Sequence, residues 1–591
     1  MSPVNFQKQI KHLLIKKFIL IIALISFIGG MAQELPPVVN FGPNQYSAGN
    51  QNWMIAQAGN KNLYFANSTG LLEYTGENWN LYPVPNNTIV RSLKVVGERV
   101  YTGAYMEAGY WEKSNLGELK YTSLVPKFAE GIGEGEQFWD IEIFNNLIIF
   151  RSFGGLYFYD PSRNRIDKME NPLEKPISGI FKFDGELFFQ LVGEGLFKIK
   201  NGIPEIVIPY AHIKDRTIVH LYNKKEDLRV ITGNTQFFKW DGQNLIQFNQ
   251  ELSEKLESPN VLDVLNLPNG EMILGTVGKG IVQVSPDGKI VNSFTQENIL
   301  INNTVLDLFL DDLGNIWAGL DYGISNIDLN SSFRLFQDNR GEIGSVYASF
   351  EKDGKLYLGT NQGLYLKKKN EEKFNLIEGT NGQVWFISEI EGYIFCGHNN
   401  GTFIINNDKA TKISDRLGTW LVKKYAENIF VQGHYNGISF IKENNGSFKT
   451  IPMLPNFPHS SKFIEVDENQ HIWMSNEHKG VFRMKINDSL NRIMDSQNYV
   501  FPNESGITSS LFKYNDTLYY SSRENLYQYS KIHDKFSKTN PLSELISNIN
   551  RVSGKMLNEN YQERLWGFAK EGVFSISPAK LKKGNNIEFT Y

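Results

Sequence analysis

Apolar and polar positions along this chain alternate with a period of two over short stretches, and turns interrupt them every dozen residues or so. One unit recurs. Two or three apolar or aromatic residues lead to a small residue, often Gly, then a short polar turn, a second Gly and another apolar run. Clear copies read LYLGTNQGLYL from Leu356, IWAGLDYGISNI from Ile316 and MILGTVGKGIVQV from Met272. IFCGHNNGTFII from Ile394, IWMSNEHKGVFRM from Ile472 and LWGFAKEGVFSI from Leu565 follow the same rule. Weaker copies begin at Leu63, Val100, Leu147, Leu187, Arg229, Ile429 and Leu518. Strict alternation broken by Gly excludes helical repeats. Thirteen copies about 42 residues apart predict four-stranded blades of an all-β propeller chain.

One copy can be read in full. Val305–Leu310 is the inner strand A, Ile316–Gly319 is strand B, Gly323–Asp328 is strand C, and Phe333–Phe336 is expected to be strand D. Trp317, Tyr357 and Trp473 on strand B are expected to fill the space between blades. Seven copies, Leu63 through Ile316, suffice for one ring, and six remain. The expected layout is two consecutive β-propellers of four antiparallel strands per blade, at 33–338 and 339–591, the second with six blades or an incomplete seven. Val38–Phe41, ahead of the first copy, reads as a lone outer strand that completes the last blade of the first ring. Closure matters because an open ring leaves strand edges unpaired. Asn585–Tyr591 reads as the last outer strand.

Composition changes this picture in three places. Net charge is −4 with no basic stripe, so a nucleic-acid surface is excluded. The single cysteine, Cys396, lies in an apolar strand pattern and reads as a buried structural thiol. Lys8, Lys11, Lys16 and Lys17 precede an apolar run from Phe18 to Ile28, and Gly30-Met31-Ala32 follows. This predicts a secretory signal peptide over 1–32 cut near Ala32-Gln33, and a periplasmic or secreted protein. No His-Glu-x-x-His, Gly-x-Ser-x-Gly or phosphate-loop motif occurs, so no enzyme is expected, and no cofactor.

The run Asp311, Asp312, Gly314, Asn315, Ile316, Trp317 and Gly319 resembles the two-component regulator propeller repeat, and Asp467 through Trp473 is a degenerate copy. The resemblance extends over about residues 34–580. It implies the periplasmic sensor region of a hybrid two-component or LuxR-type regulator. In that family two seven-bladed rings precede a triple-tyrosine module, a membrane span and an output domain. Thirteen repeats with none of those later parts imply an input region without its output.

Candidate chemistry lies where the loops of every blade converge. Counting back from the end of strand B aligns Trp53, Arg91, Trp139, His220, Tyr347, Trp385, Trp420 and Arg551 at one channel-facing register. The B–C turns add Asn361, Gln362, His398, Asn399, Asn400, His434, Tyr435, Asn436, Glu477, His478 and Lys479. Aromatic faces beside amide and imidazole edges suit a sugar, by stacking on C–H faces and bonding hydroxyls. A zinc set of His398, His434 and His478 lacks an accompanying carboxylate or cysteine, so no metal site is assigned. The expected ligand is a small molecule or oligosaccharide, with a homodimer or a membrane regulator as the protein partner. The competing readings are a polysaccharide lyase or hydrolase and a protein–protein scaffold.

Overall fold

The computed structural model describes residues 34–590 apart from 115–116, 129–130, 170–172, 174, 201, 225–226, 257–259, 337–340, 342, 370, 372, 502–507, 560–563, 571 and 578–587. The signal-peptide segment lies outside the described residues. The chain divides into two compact units, one ending at Asn339 and the other beginning at Arg340. Among the described residues no helix is long and apolar enough to cross a membrane.

The first unit contains seven four-stranded antiparallel sheets. Their inner strands are Asn52–Gln57, Val90–Val96, Asp140–Phe144, Ile177–Phe183, Ile218–Lys224, Val261–Asn266 and Val305–Leu310. Each inner strand packs on the next, and the last packs on the first, so the ring is closed. Val38–Phe41 pairs antiparallel with Ile324–Ile327 as the outer strand of the seventh blade. This corrects the expectation for Phe333–Phe336. That place is already filled, and Leu335–Phe336 instead pairs with Glu34–Leu35 in a separate two-stranded ladder.

The second unit contains six such sheets among the described residues, with inner strands Val346–Lys352, Val384–Ile390, Leu421–Ala426, Phe463–Val466, Ser510–Tyr514 and Leu557–Glu559. Each packs on its successor, but among the described residues no comparable packing returns from Leu557–Glu559 to Val346–Lys352. Glu588–Thr590 is the outer strand of the sixth sheet.

The repeat pattern has a mechanical explanation. Asp311 sits in the A–B turn and accepts the backbone N–H groups of Leu313 and Asn315 on Oδ1 at 2.9 and 2.8 Å. Its Oδ2 accepts the Trp317 indole N–H at 2.9 Å. Asp467 repeats this with Asn469, His471 and Trp473. The carboxylate therefore folds the turn and anchors the strand-B tryptophan together. Trp317 then packs against Phe41, Phe65 and Tyr74, and Trp473 against Tyr529 and Phe536 of the next blade.

The two glycines of the repeat serve different ends. The first closes strand B where the next blade begins, and a Cβ at Gly319 would lie 2.4 Å from the Asn52 carbonyl oxygen. The second opens strand C with positive φ. Gly480 has φ 92°, and a Cβ there would meet the Tyr499 carbonyl oxygen at 2.2 Å. Cys396 is fully buried, and burial pushes its thiol up to about 12.

Inner strands are also tied blade to blade. Asp263 Oδ2 accepts the Leu308 N–H at 2.8 Å, and Asp307 Oδ2 accepts the Ile55 N–H at 2.7 Å across the ring closure. Lys352–Glu389 at 2.6 Å and Lys423–Glu465 at 3.0 Å bridge neighbouring inner strands of the second unit.

Candidate functional site

Each inner strand begins beside the end of strand B, as in Val384 opposite His398. The B–C turn therefore lies at the same end as the start of strand A. At that end the ladder register slips. Val346 faces Thr360 and Ala348 faces Gly359, which leaves Tyr347 as an extra residue. Trp385 is extra between Val384 and Phe386, and Arg91 between Val90 and Ser92. Trp139 and Trp420 donate their backbone N–H to Arg151 and Gly433, the residues already paired with Asp140 and Leu421. These are β-bulges, which re-aim one side chain out of the alternating pattern.

In the second unit the bulges bring three consecutive blades together. The ring centroids of Tyr347 and Trp385 are 4.7 Å apart, those of Trp385 and Trp420 4.9 Å, and those of Trp420 and Tyr435 5.0 Å. The Trp385 indole N–H donates to the Tyr435 hydroxyl at 2.9 Å. Tyr347 and Tyr435 are each 39% exposed. Gly418, at φ 71°, leaves room for Tyr435, and a Cβ there would lie 2.2 Å from that ring. The Trp420 indole nitrogen is buried without an acceptor in the protein.

Lys462 directly precedes the inner strand of the fourth blade, and its Nζ lies 5.3 Å from the Trp420 ring centroid. Burial, with the charge of Lys462, holds the Lys555 ammonium below its ordinary range. Sequence reasoning missed both lysines. The signal available for Lys462 was its place in the same column as Trp385 and Trp420.

The other candidates are placed differently. His398 is fully buried. Its Nδ1 accepts the Asn400 N–H at 2.9 Å and its Nε2 lies 3.1 Å from the Thr380 carbonyl oxygen. His434 is equally buried between the Thr419 and Ser439 hydroxyls, and burial lowers it to about 4. Asn399 braces neighbouring loops, with its Oδ1 accepting from Gln383 and its carbonyl accepting from Gly418. His478 is exposed on its turn. Arg551 is buried and donates to the Ser521 hydroxyl at 2.7 Å. His220 meets Asn266 at 2.8 Å, and the extra residue of its strand is Val219. Among the described residues no three His, Cys, Asp or Glu side chains converge as metal ligands.

The first unit has a cluster of its own. Arg91 lies between Trp53 and Trp139, its guanidinium carbon 4.1 and 4.5 Å from their ring centroids. The two indoles are 6.0 Å apart and nearly perpendicular. Phe153 packs on Trp139 at 5.7 Å.

The extracellular domain of a hybrid two-component system from B. thetaiotaomicron superimposes with TM-score 0.67 over 93% of this chain and 78% of that one, at 14% identity. The chain shares the fold of that extracellular domain. The chain also aligns with the extracellular domain of a one-component system from B. thetaiotaomicron, at 14% identity and TM-score 0.41, over 95% of this chain and 79% of that one. PorZ, a surface component of the type-IX secretion system of Porphyromonas gingivalis, aligns at 12% identity and TM-score 0.33, over 91% and 87%. The fold assignment rests on the first of these. No protein-family model and no curated protein matches the sequence.

Proposed function

We propose that this two-component-type propeller chain is a periplasmic ligand-sensing module, and that its second unit captures a glycan fragment on the row Tyr347, Trp385, Trp420 and Tyr435. The observation that carries this reading is the row itself. Three consecutive blades spend their bulge residue on an aromatic ring, and the four rings form one continuous row of tilted and edge-on contacts. A core would need none of these positions to project. Half-exposed rings offer apolar faces for sugar C–H groups, while the Tyr435 hydroxyl and Lys462 offer polar edges for hydroxyls.

The test is a thermal-shift screen of the purified protein against neutral and acidic oligosaccharides. Ligand at about 100-fold its Kd adds about 2.7 kcal/mol. For a unit of this size that raises Tm by about 5–10 °C. Trp385→Ala combined with Trp420→Ala is expected to remove the shift while the protein still melts cooperatively. A shift that survives the double substitution, or no shift with any glycan, overturns the proposal.

A further inference from the structure

We infer that the Trp53–Arg91–Trp139 cluster of the first unit is a second binding site, one that takes an oxyanion, carboxylate or sulfate, carried on a sugar-sized ligand. It does not depend on the reading of the second unit, since none of its residues belongs to that row.

The donors carry the argument. The Trp53 indole nitrogen, the Trp139 indole nitrogen and Arg91 Nη1 are all buried, and none has an acceptor in the protein. Buried polar groups are otherwise paired almost without exception, so three orphans within one stack need a reason. All three are donors, and one belongs to a permanent cation.

Charge points the same way. The one side-chain hydrogen bond of Arg91 is a long one, 3.3 Å from Nε to the neutral Gln137 Oε1. Among the described ion pairs Arg91 joins none, and the neighbouring carboxylate of Asp140 is engaged by Arg151 at 2.7 Å. A half-buried guanidinium without a counter-charge is costly, and burial holds Arg91 below its ordinary range. A ligand oxyanion supplies both the charge and several acceptors, through charge-assisted bonds that a neutral sugar cannot make. The indole faces then give the carrier ring an apolar bed.

The fold does not require this cluster. At the same bulge position the sixth and seventh blades of the ring carry Leu262 and Leu306. An arginine between two tryptophans is thus an addition to the scaffold.

The experiment is calorimetric titration of the full chain with glucuronic acid, N-acetylglucosamine 6-sulfate, glucose and free acetate, at low and at physiological salt. At least one acidic sugar is expected to bind tenfold or more tighter than glucose and to weaken with salt. The two acidic arms tell carboxylate from sulfate ester. Arg91→Met should remove the preference. Gln137→Glu places an internal carboxylate beside Arg91 Nε and should also weaken the acidic sugar at least tenfold, without lowering Tm. The Trp385→Ala, Trp420→Ala protein should bind the acidic sugar as the unaltered protein does. Equal binding of glucose and both acidic sugars overturns the proposal. So does retention of the preference in Gln137→Glu, even if Arg91→Met fails to fold. Acetate binding as tightly as the acidic sugars overturns the sugar part.

Discussion

Replacing Gly319 by Val is expected to lower the melting temperature of the first unit by about 10 °C and leave the transition of the second unit in place. Gly319 ends strand B of the seventh blade, and the backbone of Asn52, where the first blade begins, crosses directly over it. An added Cβ at 2.4 Å from a carbonyl oxygen cannot be absorbed by rotating a side chain. The first blade must move outward by an ångström or so. That movement stretches the bond from Asn52 Nδ2 to the Gly323 carbonyl, now 3.0 Å, and the bond from the Gly323 N–H to the Asn50 carbonyl, also 3.0 Å. It also pulls the Ile55 N–H away from Asp307. Overpacking plus several lost buried bonds costs about 3–4 kcal/mol. In a unit of this size each kcal/mol is worth about 2–4 °C. Gly59→Ala is the matched control, because nothing lies within 4 Å of its Cβ position. Calorimetry that finds Gly319→Val within about 2 °C of the unaltered protein would show that the ring closure is not held at this crossing.

The second large effect is electrostatic. Asp263→Asn is expected to stabilise the first unit at pH 7.5 by about 1–2 kcal/mol, with the gain shrinking as pH falls below about 6 and gone by about pH 4. Burial raises Asp263 to about 6, and burial plus the charge of Asp263 raises Asp307 well above the carboxylate range. The two titrate as a pair. A carboxyl whose folded pKa exceeds its unfolded value favours folding in its protonated form. That contribution is complete below about pH 4 and is lost as pH rises through about 6. At pH 7.5 Asp263 is held ionised inside the ring against its preference. Asparagine keeps a side-chain oxygen to accept the Leu308 N–H and removes one charge. A shift of about two pKa units bounds the gain at about 3 kcal/mol, and channel solvent reduces it. The check is Tm against pH for both proteins from pH 4.5 to 8.5, with converging curves on the acid side. A destabilised Asp263→Asn protein at pH 7.5 would mean that the carboxylate charge is held favourably.

Much of the fold was legible because a propeller repeats its constraints thirteen times. A strand-B tryptophan needs an acceptor six residues back, a blade crossing needs a small residue, and strand C needs positive φ. Each leaves a residue-level trace, as at Asp311, Gly319 and Gly480. Val38–Phe41 was legible as an orphan apolar run, whereas Phe333–Phe336 carried the same local pattern without the partner. Local alternation reports strand character and says nothing about which edge is vacant. The aromatic row was visible as a column, but its neighbours on the turns were not separable by type. His434 and Tyr435 are adjacent in sequence, yet one points into the blade and bonds Ser439 while the other packs edge-on against Trp420. That difference is one residue of pleat, which repeat alignment does not resolve. Gln137 and Lys555 were invisible for another reason, since partnership across blades leaves no spacing in the chain.

The outer strand Val38–Phe41 also sets a timetable. Its partners, Ile324–Ile327, lie almost the whole unit away in sequence, and the Ser325 hydroxyl reaches back 285 residues to Asn40. A ribosome working at about 5–20 residues per second needs roughly 15–60 s to make the intervening chain. For that interval a strand made near the start of the unit waits for its ladder, and six blades can form before the seventh is complete. Closure of the first ring is therefore a late, long-range event that reports completion of the whole unit. A chain interrupted before Ile324 leaves both an unpaired strand and an open seam.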